Sequence, residues 1–340
     1  MKSISKVENK RGLGILELEE PKFVSEEDVL VEVDAVSICG TDLHIYEWDD
    51  WARNRIKIPR VLGHEGTGRI IKIGSKVKGL HEGQRVSFES HIPCFRCYQC
   101  KTGRPHICSD LKILGIDVDG LFRKYVVVPH FIVIPNDLDY DEAALLEPLG
   151  NAFHALSKVD IRGKYVGILG DGPIAMFLFY FAQKFGPAKI FLVGANNYRI
   201  DFAKKINYSN HPILNYFEDN ILQVIKDQTN GRMLDIVFEM AGSKNTVELG
   251  IELLSMGGKL IAFGILPSKI EIDYNQLIFK SIDIISVNGR ILFDSWFVML
   301  DTIKKGELRK FITYEVEFTN YQEAFELLLR KEALKIIIKI

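Results

Sequence analysis

The sequence has no long apolar run, and this absence argues against a protein that spans a membrane. Its longest run, from Ile174 to Ala182, is much shorter than the ~20 apolar residues that a transmembrane helix needs. The segment from Met1 to Lys10 contains no apolar core of the kind found in secretory signals. We therefore expect a folded protein of the cytoplasm that has no membrane partner.

The sequence also has almost no net charge. Its 43 lysines and arginines are balanced by 45 aspartates and glutamates, which gives a formal net charge of −2. Such a balance creates no large field of one sign, so a nucleic-acid partner is not expected. With 340 residues, of which 47% are hydrophobic, the chain is long enough for two domains with their own cores.

Cysteine is scarce, but four of the five cysteines form a cluster: Cys94, Cys97, Cys100 and Cys108. In an intracellular chain such a cluster favours a metal site over disulfides. The spacing C-x2-C-x2-C-x7-C allows four thiolates to converge on one Zn²⁺ ion. Iron–sulfur motifs use other spacings, and four cysteines within fifteen residues argue against chance. We predict a closed, structural zinc site.

The fifth cysteine, Cys39, opens one of two short polar motifs. It begins the segment Cys39 to His44, and Gly63-His64-Glu65 follows about twenty residues later. A thiolate and an imidazole are good zinc ligands, and a carboxylate from elsewhere, with Glu147 the best candidate, would leave one position open. A zinc with an open position is catalytic. A lone histidine or cysteine is more often a core residue, so the prediction depends on the motifs downstream.

The residue pattern of the sequence changes near Asp141. Before it, glycines and β-branched residues alternate, which is typical of short strands and tight turns. From Lys164 onward, strands alternate with helices, a pattern that builds a parallel sheet covered on both faces. We predict an α/β protein with a β-rich domain, residues 1–148 completed by 290–340, and a doubly wound parallel-sheet domain, residues 149–289. The strands predicted in the second domain are Lys164–Leu169, Lys189–Val193, Ile213–Leu214, Asp235–Phe238, Lys259–Phe263 and Ile282–Val287. The predicted helices are Pro173–Phe185, Tyr198–Ile206, Asp219–Asp227 and Asn245–Met256.

A glycine-rich loop stands at the first junction between a predicted strand and a predicted helix. Its sequence, Gly170-Asp171-Gly172-Pro173-Ile174-Ala175, matches the G-x-G-x-x-G/A phosphate loop. The glycines permit a tight turn and a close approach of the backbone to a pyrophosphate at the helix N-terminus. Because the motif lies between a strand and a helix, as that role requires, we predict that it binds a dinucleotide.

These motifs, in this order, resemble those of the zinc-dependent medium-chain dehydrogenase/reductase superfamily, and the resemblance covers essentially the whole chain. Within the superfamily the sequence is most similar to the L-threonine 3-dehydrogenases. Three segments carry that likeness: Ile38 to Trp51, Glu147 to Ala152, and Gly289-Arg290 with Asp294-Ser295-Trp296. The resemblance implies a GroES-like catalytic domain, a Rossmann domain and a homotetramer. Polyol and sugar dehydrogenases share the zinc and nucleotide motifs.

The resemblance also implies roles around a catalytic zinc. Cys39, His64 and Glu147 would hold the ion, with Glu65 near enough to exchange in and out. Asp42 would orient His64 as a hydrogen-bond acceptor, a common partner of a zinc-bound imidazole, although a capping role is also open to it.

Further roles concern the substrate. A zinc-bound alkoxide would lose hydride to the nicotinamide. The proton would leave through the Thr41 hydroxyl, the nicotinamide ribose and His44, two residues that would otherwise be ordinary turn residues. His91 corresponds to a histidine of the substrate pocket, although a loop histidine is usually only solvated.

The cofactor residues implied are Gly170, Gly172, Pro173, Ile174, Gly194, Arg199, Gly264, Ile265 and Arg290. One departure from NAD enzymes concerns strand two, which ends in Gly194 where an acidic residue binds the ribose hydroxyls. Gly194 leaves space for a 2′-phosphate and Arg199 would pair with it, so we expect NADP to be accepted in preference to NAD. The alternative is that Arg199 only stacks on the adenine. A second departure, Leu334-Lys335-Ile336 for the usual Gly-Lys-Val, is interpreted as structural drift.

The leading functional hypothesis is therefore a zinc-dependent, NAD(P)-linked oxidation of L-threonine at its 3-hydroxyl to 2-amino-3-ketobutyrate. The alternative is a sugar or polyol dehydrogenase that acts on glucose, sorbitol or a related compound. A third possibility is a noncatalytic zinc protein or redox sensor on the same fold. The intact set Cys39, Thr41, His44, His64 and Glu147 argues against it, because a sensor need not keep a proton route.

Overall fold

The structure is a computed structural model that describes residues 1–22 and 25–340. The β-strands of the described residues are, in chain order, β1 (Lys2–Lys6), β2 (Gly14–Glu17), β3 (Asp28–Ser37), β4 (Arg60–Val61), β5 (Glu65–Ile73), β6 (Arg85–Phe88), β7 (His91–Ile92), β8 (Lys112–Ile113), β9 (Tyr125–Pro129), β10 (Val133–Pro135), β11 (Tyr165–Leu169), β12 (Lys189–Gly194), β13 (Ile213–Asn215), β14 (Leu234–Glu239), β15 (Leu254–Ala262), β16 (Asp283–Ser286), β17 (Ile312–Glu317) and β18 (Lys335–Lys339).

The α-helices are α1 (Gly40–Glu47), α2 (Asp50–Arg55), α3 (Tyr98–Lys101), α4 (Tyr140–Ala143), α5 (Leu146–Ser157), α6 (Pro173–Ala182), α7 (Asn197–Ile206), α8 (Ile221–Gln228), α9 (Lys244–Leu253), α10 (Tyr274–Lys280), α11 (Asp294–Thr302) and α12 (Tyr321–Leu329). Single turns of 3-10 helix lie at Pro105–Ile107, His130–Ile132, Gln183–Phe185, Arg309–Phe311 and Phe318–Asn320. None of the helices in the described ranges is long and apolar enough to cross a bilayer.

The chain divides into two compact units. The first consists of Met1–Pro148 and Ile291–Ile340, and the second is Leu149–Arg290. In the first unit, strands run in the order β10-β6-β5-β3-β18-β17, with β9 also paired to β3. Strand β3 alternates buried and half-buried residues, because successive side chains point to opposite faces of a sheet. Strand β18 pairs antiparallel to β3 and so brings the carboxyl-terminal tail into this sheet.

A single glycine fixes the backbone at the start of the second metal motif. Gly63 has φ +90°, in the left-handed region that L side chains rarely adopt. A Cβ atom there would lie 2.1 Å from the Phe122 ring. Any larger residue would therefore displace the buried phenyl ring and the chain that leads into His64.

The second unit contains a six-stranded sheet in the order β13-β12-β11-β14-β15-β16, and all its pairs are parallel. Numbered from β11, this order is 3-2-1-4-5-6, which is that of the doubly wound dinucleotide-binding fold. Strand β12 is buried almost throughout, as expected for a parallel strand that is covered on both faces. In such sheets, ligands bind outside the carboxyl ends of the strands, where the strand order reverses.

The predicted fold class is confirmed, but the predicted ends of some helices and strands are wrong. The predicted helix Asn245–Met256 ends at Leu253, and β15 begins at Leu254, five residues before the predicted start at Lys259. The apolar residues of this stretch fit either period, and the structure pairs Leu254 with Leu234 of β14. Six helices, α1, α2, α3, α5, α10 and α11, were not predicted. In α1 the reason is that its apolar residues follow no clear helical period.

Candidate active site

The first motif group lies in the first unit, where the ligand atoms of Cys39, His64 and Glu65 are within 4.8 Å of one another. Cys39 is the residue before α1, and its backbone N–H donates to the Asp42 carboxylate at 3.0 Å. Glu65 opens β5 directly after His64. Thiolate, imidazole and carboxylate are a donor set that suits zinc.

His64 shows how well this site fits a cation. The side chain is buried, and its Nδ1 atom has no hydrogen-bond partner in the described part of the chain. Burial opposes protonation of the ring, but the Cys39 thiolate, Asp42 and Glu147 outweigh burial and raise the pKa of His64 well above its usual value. An environment that is this negative around a buried imidazole fits a bound zinc ion.

Asp42 lies close to His64 but does not form the hydrogen bond that the resemblance implied. Its Oδ1 atom is buried without a partner among the residues described, and burial raises the pKa of its carboxyl group, against the charge of His64. Its Oδ2 atom caps the backbone at Cys39 instead. The orienting role of Asp42 therefore stays a prediction.

Both candidate glutamates interact electrostatically with His64. Glu65, expected only to exchange in and out, belongs to the close ligand group. Glu147 lies near the start of α5, accepts a hydrogen bond of 2.8 Å from the Ser90 hydroxyl, and is among the charges that act on His64. The structure thus brings both carboxylates to His64, with Glu65 in the tighter group.

Lys335 is a site residue that sequence reasoning missed. It forms a buried ion pair with the Glu65 carboxylate, and its Nζ atom also donates to the Ile38 carbonyl at 2.9 Å. Burial disfavours ionisation of Glu65, but Lys335 and His64 outweigh that effect and lower the pKa of Glu65. A signal existed, because a lysine inside an apolar strand is rarely buried without an acidic partner.

We expect Lys335→Met to destabilise the protein by about 3–5 kcal/mol, because it leaves the Glu65 carboxylate buried without its counter-ion. Denaturant unfolding of the zinc-free protein measures the change. Lys339→Met is the matched control, since Lys339 lies on the same strand in an exposed ion pair with Glu315 and should cost at most about 1 kcal/mol. Equal losses in the two variants would contradict the importance of the buried pair.

Thr41 and His44 lie at the two ends of the predicted proton route. The Thr41 hydroxyl is 3.8 Å from the Cys39 sulfur. His44 is exposed, and its Nδ1 atom lies 2.6 Å from the Asp49 carboxylate. Asp49 was not predicted to take part. Asp49 is the N-cap of α2 and accepts a 2.9 Å hydrogen bond from the Ala52 N–H. No pattern in the neighbouring sequence predicts its bond to His44.

His91 is buried, not solvated as a loop histidine usually is. It lies in β7, and its Nδ1 atom is 2.9 Å from the Glu89 carboxylate. The other oxygen of Glu89 accepts a 2.7 Å bond from the Trp296 indole N–H. Because the Ser90 hydroxyl donates to Glu147, these residues form a buried polar network next to the candidate metal ligands. Glu89 and Ser90 carry no motif by which the sequence could have identified them.

The four clustered cysteines converge as predicted. Neighbouring sulfurs lie 3.4 Å (Cys97–Cys100), 3.7 Å (Cys97–Cys108) and 3.4 Å (Cys94–Cys108) apart. Four thiolates around one zinc at ~2.3 Å have sulfurs about 3.8 Å apart, so the cluster fits a tetrahedral site. Backbone N–H groups of Cys100 and Ser109 lower the pKa of Cys97 to about 5, which favours the thiolate.

The glycine loop lies in the second unit, at the carboxyl edge of the parallel sheet. Gly170 has φ +130°, and a Cβ atom there would lie 3.1 Å from the Met240 carbonyl carbon. Gly172 is the N-cap of α6, and Pro173 occupies its first turn. The N–H groups at the start of such a helix suit a pyrophosphate, so the loop fits the predicted dinucleotide.

The other candidate cofactor residues divide into two groups. Gly194 ends β12, and Gly264 follows β15, where a Cβ atom would lie 2.2 Å from Gly242 N. Like Ile174 in α6 and the exposed Ile265, they lie at the carboxyl edge of the sheet. Arg290 instead is buried against α5, where a Cβ atom at Gly150 would lie 2.5 Å from its Cδ atom.

Comparison with known proteins identifies relatives of both units. A family profile described as "Alcohol dehydrogenase GroES-like domain" matches residues 25–137, and one described as "Zinc-binding dehydrogenase" matches residues 173–305. The chain is 35% identical to an L-threonine 3-dehydrogenase of Caldanaerobacter subterraneus, across 99% of this chain and 98% of the relative. It is 36% identical to an L-threonine 3-dehydrogenase of Pyrococcus abyssi, with the same coverage.

Solved structures with the same fold carry the names of dehydrogenases with more varied substrates. Galactitol-1-phosphate dehydrogenase from Escherichia coli has a TM-score of 0.89 at 23% identity and covers 100% of both chains. 2R,3R-butanediol dehydrogenase from Bacillus subtilis has a TM-score of 0.88 at 22% identity, over 100% of this chain and 99% of that one. At this level of identity the likeness supports the fold alone.

Proposed function

The chain belongs to the zinc-dependent medium-chain dehydrogenase/reductase superfamily as an oxidoreductase of CH–OH groups, and from this premise we propose that it oxidises L-threonine to 2-amino-3-ketobutyrate. The observation that carries the choice of substrate is the full-length likeness to relatives that bear the threonine dehydrogenase name. The polar network of Glu89, His91 and Trp296 supports it, because an amino-acid substrate needs polar partners beside the reacting hydroxyl.

We propose that Cys39 and His64 hold the catalytic zinc together with Glu147 or Glu65. A zinc ion held by these residues would supply a Lewis acid for the substrate hydroxyl, and NAD(P) held by the glycine loop at the carboxyl edge of the parallel sheet would supply the hydride acceptor.

The protein's own part in this chemistry is to position groups and to move a proton. The Thr41 hydroxyl would take the proton from the substrate, and its 3.8 Å distance from the Cys39 sulfur supports this role. His44 is exposed and paired with Asp49, so it can pass a proton to solvent. Lys335 keeps Glu65 ionised, which preserves a charged ligand next to His64.

A substrate panel tests the proposed reaction. Zinc-loaded protein is mixed with L-threonine, D-threonine, sorbitol, glucose or 2,3-butanediol, with NAD and with NADP, and reduced cofactor is followed by absorbance. We expect L-threonine to have the highest kcat/KM. Turnover of sorbitol or glucose with none of L-threonine would assign the protein to the sugar and polyol dehydrogenases. A zinc-loaded protein that binds cofactor but oxidises no alcohol would favour a sensor.

We also propose that the protein is a cytoplasmic homotetramer and that the free edge of β16 forms one of its contacts. Among the described strands, β16 pairs only with β15. Ile284 on that strand and Ile278 and Phe279 on α10 are exposed, and exposed apolar side chains beside an unpaired strand favour self-association.

Phe279→Asp is therefore expected to lower the molar mass measured by light scattering, because it places a charge in the proposed contact. Phe217→Asp is the control, since Phe217 is equally exposed in the same unit but follows β13, at the other edge of the sheet. A wild-type monomer would refute the proposal.

A further inference from the structure

The structure places a carboxylate at the end of β12, although the strand itself ends in Gly194. The carboxylate belongs to Asp171, in the glycine loop between β11 and α6. A Cβ atom on Gly194 would lie 3.2 Å from the Asp171 Cβ atom and 3.3 Å from its Oδ2 atom. Asp171 thus occupies the space beside Gly194 in which a 2′-phosphate was expected to bind.

Backbone hydrogen bonds hold this carboxylate in place. Its Oδ2 atom accepts bonds of 2.8 Å from the N–H groups of both Ala195 and Asn196, directly after β12. These two donors are therefore already used and do not remain for a phosphate. A carboxylate has about four acceptor sites, so Oδ1 retains capacity for a further donor.

Arg199 is oriented toward the same carboxylate. Its Nη1 atom lies 3.5 Å from Asp171 Oδ1, and both side chains are largely buried, with exposures of 15% and 13%. The Nε atom of Arg199 is buried without a partner in the described ranges. The positive charge that was expected to attract a 2′-phosphate is therefore opposed by an adjacent negative charge.

We propose that Asp171 replaces the missing acidic residue of the strand end and makes the protein prefer NAD over NADP. Its free acceptor sites receive hydrogen bonds from the adenosine ribose hydroxyls, and its charge repels a 2′-phosphate. The inference rests on the proposed nicotinamide-linked function but not on the identity of the alcohol. It reverses the preference for NADP that Gly194 and Arg199 suggested.

Equilibrium binding of the reduced cofactors tests the proposal without turnover. Dissociation constants for NADH and NADPH are measured by nicotinamide fluorescence on the zinc-loaded protein. The wild type should bind NADH at least about tenfold more tightly than NADPH. In Asp171→Asn the amide oxygen keeps the backbone acceptor but the charge is lost, so the ratio should shift toward NADPH by about 10- to 100-fold, as for loss of one charge-assisted contact.

Two further variants identify the cause of that shift. Asp160→Asn makes the same change of charge in an exposed pair with Arg162, before β11 and thus at the opposite edge of the sheet, and should leave the ratio unchanged. The double variant Asp171→Asn/Arg199→Gln should lose the gain in NADPH affinity, because Arg199, once released from Asp171, supplies it.

The outcomes separate this inference from the proposed reaction. A wild type that binds NADPH as tightly as NADH, or an Asp171→Asn protein with an unchanged ratio, overturns the inference. Where circular dichroism shows that Asp171→Asn is unfolded, Asp171→Ser and the wild-type ratio decide. A protein that shows the shift but does not oxidise L-threonine would refute the substrate and leave the role of Asp171 intact.

Discussion

We expect His64→Ala to abolish alcohol oxidation while the affinity for NADH stays nearly unchanged. In the proposed ligand set His64 is one of few zinc ligands, and its removal leaves Cys39, Asp42 and Glu147 as unbalanced negative groups around an enlarged space. Loss of a partner that only orients a ligand costs about 10- to 100-fold in metal affinity or activity. Loss of the ligand itself should exceed that range. The candidate cofactor residues all lie in the second unit, so NADH binding should persist.

Metal analysis, kcat and NADH affinity are measured on the same preparation. We expect two zinc ions per chain in the wild type and one in His64→Ala, with loss of turnover. His81→Ala is the matched control, because His81 is exposed and its ring lies 3.1 Å from the backbone carbonyl of Glu82, outside both the cysteine and the histidine motifs. A His64→Ala protein that retains turnover, or that retains both zinc ions, would contradict the proposed ligand set.

The candidate metal ligands could be grouped from the sequence because their spacing is local. Four cysteines at short intervals can converge where the backbone between them turns, and the structure brings their sulfurs together. The Gly63-His64-Glu65 motif likewise depends on a local backbone conformation, because Gly63 adopts a positive φ and lies against the Phe122 ring. In both places the residue types and their spacing contain most of the information that the site needs.

The partners of those residues could not be predicted, because they are distant in sequence. Lys335 reaches Glu65 only because β18 pairs with β3, which in turn pairs with β5. Trp296 lies on α11 and donates a hydrogen bond to Glu89, but in the sequence it is recognisable only as part of a family motif. Buried polar contacts of this kind depend on strand register, which a single sequence does not determine.

Asp171 shows a different difficulty, since it lies within the glycine-rich motif itself. The G-x-G-x-x-G/A pattern leaves the residue between the first two glycines open, and the pattern of NAD enzymes puts the acidic residue at the end of strand two. In our proposal the neighbouring loop meets the same spatial requirement, because the bonds from Ala195 and Asn196 hold the Asp171 carboxylate at the end of β12. A functional site requires a side chain at a certain position in the folded structure, and more than one segment of the chain can supply that side chain.

We expect Cys97→Ser to remove one zinc ion per chain and to lower the stability of the first unit by roughly 3 kcal/mol or more. The loop from Cys94 to Cys108 contains only one short helix, α3, and a single 3-10 turn. Its outward ring Phe95 is half exposed and has one edge contact, at 4.9 Å, with Phe131. A loop with so little apolar packing depends on its metal for its fold. Structural zinc in small peptides contributes ~10–16 kcal/mol of apparent binding free energy, so even a partial loss is large.

Zinc content and denaturant unfolding check this expectation, with Lys101→Ser as the control. Lys101 is an exposed residue of α3 in the same loop and is not a ligand, so its replacement should leave both measurements unchanged. The Cys97→Ser protein should keep its affinity for NADH, because the glycine loop and Asp171 belong to the second unit. A Cys97→Ser protein with two zinc ions and wild-type stability would show that the cysteine loop holds no structural metal.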